Sequence, residues 1–327
     1  MKAIVYHNYG SPDVLKFEDV AKPVPKENEL LIKVRAASLN PLDWHFMRGT
    51  PYLFRIIVGL RKPKFIGFGA DVAGQVEAVG KAVTQFKPGD DVFGGCRGAI
   101  AEYACASESE SVMKPDNITF EQAASVRIAG LTALQSLRNK GHIQPGQKVL
   151  INGAAGGVGT FAVQIAKSFG AEVTGVCSTG NLEMVRSIGA DRVIDYTKTD
   201  FTQEDFTHGG RRYDIILDLV GNHSLSAYRR VLNPKGILVT AGGPSGRWRI
   251  GVLRGIRAKV WSMFGSRKFV GILARTLKED LITLQELLKI EKVKPVIDRQ
   301  YSLSEVPEAI RYLEEGHARG KIIIAVQ

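Results

Sequence analysis

The segment 148–160 constrains the fold of this chain most strongly. Residues 149–151 predict a short strand buried on both faces, a glycine-rich turn follows, and residues 161–167 have helical spacing. This order places free backbone N–H groups at the positive end of a helix dipole, where they can bind a pyrophosphate. The turn therefore predicts a dinucleotide site, with contacts from Ala154, Ala155, Gly156, Gly157, Val158 and Gly159.

Two glycines of this turn have distinct predicted roles. The turn matches the G-x-G-x-x-G pattern, with Ala154 in its first position. A Cβ atom at Gly156 would hold the phosphate away from the backbone, and one at Gly159 would push the helix off its strand.

The tip of the next predicted strand bears on the choice of nucleotide. Residues 172–177 form a second apolar run, and the tip that follows contains Ser178 and Asn181 but no carboxylate. Hydroxyl and amide groups can donate hydrogen bonds to a 2′-phosphate, which a carboxylate would repel. NADPH is therefore favoured over NADH. Dual specificity stays open because the tip contains no arginine or lysine.

Short apolar runs continue to alternate with helical patterns as far as residue 241. The runs 192–196, 213–220 and 236–241 predict further strands of a parallel sheet that is covered on both faces. Ligands of such sheets bind beyond the carboxyl ends of the strands. The predicted cofactor neighbours at these ends are Ser178, Val220, Gly221, Gly242 and Gly243.

The first 125 residues have a different pattern. Short alternating strands are separated by turn signals, which predicts an irregular β-rich domain. Two helical patterns, 276–290 and 303–315, precede a last strand at 320–326. With 327 residues, 44% of them hydrophobic, the chain is long enough for two domains with separate cores.

Together these features resemble the zinc-free, quinone oxidoreductase-like branch of the medium-chain dehydrogenase/reductase superfamily. The resemblance covers essentially the whole chain and rests on the segments 38–44, 69–74, 83–93, 129–133, 153–159 and 188–191. It implies an α/β protein: a GroES-like β-barrel catalytic domain (1–125, completed by 272–327) and a Rossmann doubly wound parallel-sheet cofactor domain (126–271). It also implies an active site in the cleft between the two domains.

The resemblance implies roles for several residues. Asn40 would lie near the nicotinamide and the substrate carbonyl, with its amide as a donor to the developing oxygen charge; the alternative is a turn residue before Pro41. Thr132 would contact the nicotinamide, unless it caps a helix. Ser178 and Tyr196 would bind the 2′-phosphate. Leu182 stands where some relatives have a lysine, which weakens the prediction of NADP(H).

The residue types argue against a bound zinc ion. Metal-dependent relatives use Cys, His and a third ligand at the catalytic site, whereas this chain offers Ala37 or Ser38, and Ala70 replaces the imidazole. A four-thiolate structural site would need CxxC spacing, which is absent among Cys96, Cys105 and Cys177. Without a Lewis acid, the expected acceptors are quinones and α,β-unsaturated carbonyls, whose conjugation spreads the incoming charge.

One basic segment does not follow from this plan. Residues 247–278 contain nine basic residues and no acidic one, and apolar residues between them fit one helical face. Such a helix can rest on an anionic membrane surface. We favour the alternative, a helical elaboration over the active site or a dimer contact. The formal net charge of +11 alone does not indicate specific nucleic-acid binding, because no nucleic-acid-binding motif accompanies it.

The sequence thus predicts an NADPH-dependent, zinc-independent reductase that transfers hydride to a quinone or enone. The alternatives are an alcohol or aldehyde oxidoreductase and a non-catalytic NADPH-binding sensor or membrane-associated module. A cytoplasmic location is expected, since no long apolar run or cleavable signal is evident. The resemblance implies a homodimer. Asp43, His45 and Tyr52 share a predicted loop and could relay a proton. The stretch 46–64 is expected to shape the acceptor pocket.

Overall fold

The structure is a computed structural model that describes residues 1–52, 54–203, 211–242 and 266–326. Two compact units are present. The first unit comprises Met1–Leu131, Thr276–Glu291 and Pro295–Gln327, and the second unit comprises Thr132–Arg275 and Lys292–Lys294.

The elements are numbered in chain order. The described strands are β1 (Lys2–Tyr6), β2 (Leu15–Asp19), β3 (Glu29–Leu39), β4 (Asp71–Val79), β5 (Asp91–Cys96), β6 (Tyr103–Met113), β7 (Lys148–Asn152), β8 (Glu172–Cys177), β9 (Arg192–Asp195), β10 (Tyr213–Asp218), β11 (Leu232–Thr240), β12 (Lys268–Gly271), β13 (Ile297–Ser302) and β14 (Lys321–Ala325). The described α-helices are α1 (Pro41–Arg48), α2 (Phe54–Val58), α3 (Phe120–Ala124), α4 (Arg127–Leu134), α5 (Gly157–Ser168), α6 (Leu182–Ser187), α7 (Leu225–Val231), α8 (Lys278–Lys289) and α9 (Val306–Glu314).

A mixed six-stranded sheet forms the first unit. Its order is β13-β14-β3-β4-β5-β6, and an additional pairing of β3 with β6 closes the four strands β3 to β6 into a barrel. Closure removes the free sheet edges that would otherwise expose unpaired backbone groups. The barrel encloses an apolar core that includes Leu30, Ile32, Val72, Val92 and Ile324.

The second unit contains a six-stranded parallel sheet. Its order is β9-β8-β7-β10-β11-β12, and every pairing in it is parallel. This is the Rossmann strand order. Starting from β7, the chain adds β8 and β9 on one side and then returns to add β10, β11 and β12 on the other side, so the order reverses between β7 and β10. Nucleotides bind at the switch point of such sheets. The ligand site that the sequence predicted at the carboxyl ends of the strands is therefore expected between β7 and β10.

Helix α1 replaces a predicted loop. Asn40 precedes Pro41 at the first helical position, where the missing N–H costs nothing, and the Asp43 carboxylate accepts the Asn40 backbone N–H at 2.7 Å. Gly49 ends the helix in the left-handed conformation, with φ of +60°. The prediction that Asp43 and His45 lie on a loop is therefore wrong.

The basic segment 247–278 is described only in part. Residues 247–265 and Gly243 lie outside the described residues. The apolar residues that fit one helical face, at 252–264, lie outside the described residues. In the described part, Lys268–Gly271 form β12, the edge strand beside β11, which the sequence did not predict. Four residues are too few for the sequence to distinguish a buried strand from a helical turn.

Candidate functional site

The glycine-rich turn has the geometry that a pyrophosphate requires. Gly153 adopts φ of +90°, Gly156 is the N-cap of α5, and the helix begins at Gly157. A Cβ atom built on Gly156 would meet no atom closer than 3.6 Å, so the space over this residue is open. One built on Gly159 would lie 2.1 Å from the Gly153 carbonyl oxygen, because helix and strand pack closely there. The turn thus fits a dinucleotide phosphate at its open face.

Predicted cofactor residues meet at this edge of the sheet. Val220 follows β10 and lies against Gly153, which follows β7; a Cβ on Gly153 would be 3.0 Å from Val220 Cγ2. The backbone N–H groups of Val220 and Gly221 donate to the Asp218 carboxylate at 3.2 and 2.9 Å. Gly242, which follows β11, leaves no room for a side chain beside Leu219.

Sequence reasoning missed a polar network behind the turn. The Asn152 amide nitrogen lies 3.0 Å from Asp218, 2.9 Å from the Asn222 side-chain oxygen and 3.1 Å from the Tyr228 hydroxyl. Asp218 thereby connects the end of β7 to the turn after β10. The contributing residues are separated by more than 60 positions, so no local pattern could reveal the network.

The predicted 2′-phosphate residues lie on neighbouring strand ends. Ser178 follows β8 and accepts a hydrogen bond from the Asn181 amide at 3.0 Å. Tyr196 follows β9, is 55% exposed, and donates its backbone N–H to the Cys177 carbonyl. A carboxylate that the sequence did not indicate ends β9: Asp195 accepts the Thr179 hydroxyl at 2.6 Å. This bond lowers the pKa of Asp195.

Asn40 belongs to a buried polar cluster in the first unit. Its amide nitrogen donates to Asp71 at 2.9 Å and to the Ser38 carbonyl at a long 3.4 Å, and its oxygen accepts from Lys321 at 2.6 Å. Lys321 also donates to the Leu39 carbonyl at 3.1 Å. The weak bond to the Ser38 carbonyl is the one that a substrate oxygen could replace, because a 3.4 Å separation is near the limit for a hydrogen bond.

Opposite charges are paired within this cluster. Lys321 Nζ lies 3.8 Å from Asp71, and Arg127 lies 3.4 Å from Asp71 and 3.0 Å from Glu110. Burial lowers the pKa of Lys321, and the nearby carboxylates oppose this shift. Burial also raises the pKa of Asp43 to about 7, with a further contribution from Asp71.

An apolar cavity of about 210 Å³ adjoins the cluster through Asp43. Four aromatic rings contribute to its wall, and so does the stretch 46–64. The side chains that line it include Tyr6, Asp43, Phe46, Val58, Lys64, Phe65, Phe68, Ala70, Cys96 and Arg97. Burial raises the pKa of the Cys96 thiol to about 12, so this thiol stays neutral. A flat conjugated molecule matches such a wall, since aromatic faces stack on each other.

Three other residues that the sequence singled out, Thr132, His45 and Tyr52, do not line this cavity. Thr132 is inside α4, not at its start, so it does not cap the helix. The His45 ring nitrogen Nδ1 bonds the Thr50 carbonyl at 3.0 Å, and burial lowers the pKa of His45. Tyr52 is 68% exposed, with Arg55 over its ring. The structure therefore places Asp43 in the cavity wall without His45 or Tyr52.

Within the described parts of the chain, no group of three or more His, Cys, Asp or Glu side chains could hold a metal ion. Ser38 donates to the Asp71 carboxylate at 3.2 Å, and Ala70 occupies the cavity wall. No helix among the described residues is long and apolar enough to cross a membrane.

Comparisons with known proteins agree with this architecture. The family model for the alcohol dehydrogenase GroES-like domain matches residues 26–116, and the model for zinc-binding dehydrogenases matches residues 188–324. A chloroplast envelope quinone oxidoreductase homolog from Arabidopsis thaliana is 36% identical over 340 residues, which cover 99% of this chain and 98% of the relative. A 2-methylene-furan-3-one reductase from Solanum lycopersicum is 37% identical, with 99% and 79% covered.

A solved structure has the same fold. The quinone oxidoreductase of Escherichia coli, complexed with NADPH, superposes with a TM-score of 0.84 at 26% identity, and all of both chains is covered. A GroES-like barrel together with a Rossmann sheet defines the medium-chain dehydrogenase/reductases, which confirms the predicted fold class. The chain belongs to the quinone oxidoreductase-like branch of this superfamily of oxidoreductases.

Proposed function

We propose that this chain is an NADPH-dependent, zinc-independent reductase that transfers hydride to a quinone or an α,β-unsaturated carbonyl. The observation that carries this proposal is the aromatic cavity with a buried carboxyl group in its wall. Conjugated acceptors need an apolar, ring-lined site and a group that handles the charge that develops on oxygen. The names of the relatives, a quinone oxidoreductase homolog and a furanone reductase, support the same acceptor class.

NADP(H) is the cofactor that we assign to the second unit. Its pyrophosphate would lie on residues 154–159, where the open face of Gly156 and the first N–H groups of α5 are available. Ser178, Asn181 and Tyr196 would contact the 2′-phosphate. Val220, Gly242 and Gly243 would border the remainder of the bound NADP(H). When bound, the cofactor supplies the hydride. The Escherichia coli structure holds NADPH, which supports this assignment.

The chain's own residues would supply position and polarity. Asn40 would offer the amide hydrogen that now makes the long bond to the Ser38 carbonyl, and Thr132 would contact the nicotinamide. Zinc independence is supported by Ala70, which presents a methyl group to the cavity, and by the hydrogen-bonded state of Ser38.

Other features stay predictions. These are the domain limits (1–125 with 272–327, and 126–271), a homodimer, a cytoplasmic location, and the choice between a membrane contact and a covering or dimer-forming element for residues 247–278. One relative is named as a chloroplast envelope protein, so the location of this chain needs direct measurement.

A spectrophotometric assay tests the proposed function. Oxidation of NADPH and, in parallel, NADH would be followed with quinones, enones, simple aldehydes and alcohols, with and without a chelator. The expected result is chelator-resistant reduction of quinones or enones with preference for NADPH. NADPH binding without turnover of any acceptor would overturn the reductase proposal and favour a sensor. Chelator-sensitive turnover of simple alcohols or aldehydes would instead favour the alcohol dehydrogenase alternative.

A further inference from the structure

Asp43 is the single carboxylic acid among the described residues that line the cavity of the first unit. Asp43 lies on α1, is only 3% exposed, and lines the cavity with Tyr6, Phe46 and Phe68. Its Oδ2 atom accepts the backbone N–H of Asn40 at 2.7 Å. This capping bond fixes the position of the side chain at the start of α1, so the carboxyl group is held in the wall before any acceptor enters.

The charged groups that act on Asp43 are already paired with other residues. Lys321 on β14 and Asp71 on β4 are its charged neighbours and lie 3.8 Å apart. Asp71 also pairs with Arg127 on α4, which in turn pairs with Glu110 on β6.

An ionised Asp43 would add a further negative charge inside an apolar environment, which is costly. Lys64 and Arg97 also line the cavity, but the positive charge that opposes the raised pKa of Asp43 is that of Lys321. Tyr6 on β1 and Cys96 are the other titratable groups in the wall, and Asp43 opposes the ionisation of Tyr6. The arrangement favours a neutral carboxylic acid at position 43.

We propose that Asp43 is the general acid that protonates the acceptor oxygen during reduction. This rests on the proposed function. Hydride addition to the conjugated acceptor moves an electron pair onto its oxygen; the Asp43 O–H bond then breaks and an acceptor O–H bond forms. The Asp43 carboxylate regains its proton from water after the product leaves. Hydride and proton together account for the two-electron reduction, and no further reductant is required.

The two other acidic groups of the cavity wall, Tyr6 and Cys96, are less suited to protonate the acceptor oxygen. Burial raises the pKa values of Tyr6 and Cys96 to about 12, so both are weak acids near neutral pH. Asp43, with a pKa of about 7, is matched to a proton transfer at physiological pH. Tyr6 can still donate a hydrogen bond to the same oxygen.

The test compares Asp43→Asn, Asp43→Glu and wild type with one quinone and one enone. Asn keeps a carbonyl oxygen for the Asn40 N–H but has no acidic proton. We expect kcat of Asp43→Asn to fall by roughly 100-fold with little change in KM, because general acid catalysis contributes on the order of 10²–10⁴. Wild-type kcat should fall about tenfold per pH unit above pH ~7 as Asp43 ionises, and this limb should be absent in Asp43→Asn. Asp43→Glu keeps a carboxyl group and should retain the alkaline decrease in kcat.

An independent readout needs neither cofactor nor turnover. Infrared titration of the cofactor-free protein should show a protonated carboxyl band that disappears as the pH rises through about 7. The band should be absent in Asp43→Asn and present in Asp280→Asn, which removes a different buried carboxyl, on α8. Asp280→Asn should also keep wild-type kcat.

The outcomes separate the two proposals. If wild type reduces acceptors but Asp43→Asn keeps its rate and its alkaline limb, Asp43 is not the acid and the reductase function stands. If the infrared band is the same in Asp43→Asn and wild type, the neutral state of Asp43 is wrong and the acid role is overturned. If wild type reduces no quinone or enone, both proposals fail, whatever the infrared titration shows.

Discussion

Gly156 and Gly159 lie in the same turn, but we expect Gly156 to affect cofactor binding and Gly159 to affect stability. A methyl group on Gly156 would meet no atom closer than 3.6 Å, whereas one on Gly159 would overlap the Gly153 carbonyl at 2.1 Å. We expect Gly156→Ala to unfold at the wild-type temperature and to raise the NADPH dissociation constant at least roughly tenfold, or about 1.4 kcal/mol. Gly159→Ala should lose about 1–3 kcal/mol of stability through overpacking. Thermal unfolding and calorimetric titration measure both effects.

These two variants serve as controls for each other, because both add one methyl group to the same turn. Wild-type NADPH affinity in Gly156→Ala would contradict a pyrophosphate over this residue. An unchanged unfolding temperature in Gly159→Ala would contradict the close packing of α5 on β7.

Leu182 is the position at which the proposed preference for NADPH can be tested. It begins α6 directly after the 178–181 tip, where some relatives have a lysine, and Asp195 adds a negative charge at the neighbouring strand end. A lysine at this position should gain a charge-assisted bond to a 2′-phosphate. We expect Leu182→Lys to lower KM for NADPH roughly tenfold, about 1.4 kcal/mol, and to leave KM for NADH unchanged.

Ser187→Lys is the matched control for this substitution. It adds the same charge at the opposite end of α6, where the side chain is exposed. An equal gain for NADPH in both variants would indicate a general charge effect and would contradict a local contact at position 182.

The elements that the sequence predicted are those with local signals. Strands β7, β8 and β10 are buried on both faces and therefore contain continuous apolar runs, and the turn before α5 carries its glycines within seven residues. Helix α1 was missed because its eight residues mix apolar, acidic and basic types without a clear period. Strand β12 was missed because its position depends on pairing with β11, which sequence spacing does not encode.

The buried cluster shows the same limitation at the candidate site. Asn40 could be predicted from its motif, but Lys321 contacts it from 281 residues away. No spacing rule connects positions so distant, and a lysine at the start of a strand is normally expected at the surface. Only the antiparallel pairing of β14 with β3 brings the two side chains together.

The attachment of β14 to β3 should depend on this lysine. Lys321 is 3% exposed, and its loss would remove the hydrogen bonds that it donates to the Leu39 carbonyl and the Asn40 oxygen. Asp71, in contrast, would keep Arg127 as a partner. We expect Lys321→Met to cost about 1–3 kcal/mol of unfolding free energy, the usual effect of leaving buried acceptors without a donor. Chemical unfolding curves measure the loss.

Arg311→Met provides the comparison. Arg311 pairs with Asp13 on the surface, where solvent screens the attraction. Its removal should leave the unfolding curve close to that of wild type. Equal losses in the two variants would contradict a special contribution from the buried lysine.

The stability of the entire chain should report the charge state of Asp43 as the pH changes. Its pKa rises from 3.8, the ordinary value, to about 7 in the fold, so the folded state binds the proton more tightly. The stabilisation from this tighter proton binding is complete below pH ~4 and is lost as the pH rises through about 7. Asp43→Asn lacks the titration. Its unfolding temperature relative to wild type should therefore increase between pH 5 and pH 8.

The net charge of +11 affects wild type and variant almost equally, so it cancels from this difference. An increase of a few degrees is expected, since about 1 kcal/mol shifts the unfolding temperature of a chain of 327 residues by roughly 1–2 °C. Calorimetry at matched ionic strength supplies the measurement, with Asp13→Asn as the control. The hydrogen bond from Ser11 lowers the pKa of the exposed Asp13 carboxyl, so the difference between this variant and wild type should stay constant from pH 5 to pH 8. A difference between Asp43→Asn and wild type that stays constant over this range would mean that Asp43 is already ionised at pH 5. The cavity wall would then hold a fixed negative charge, which would repel the developing oxygen anion instead of protonating it.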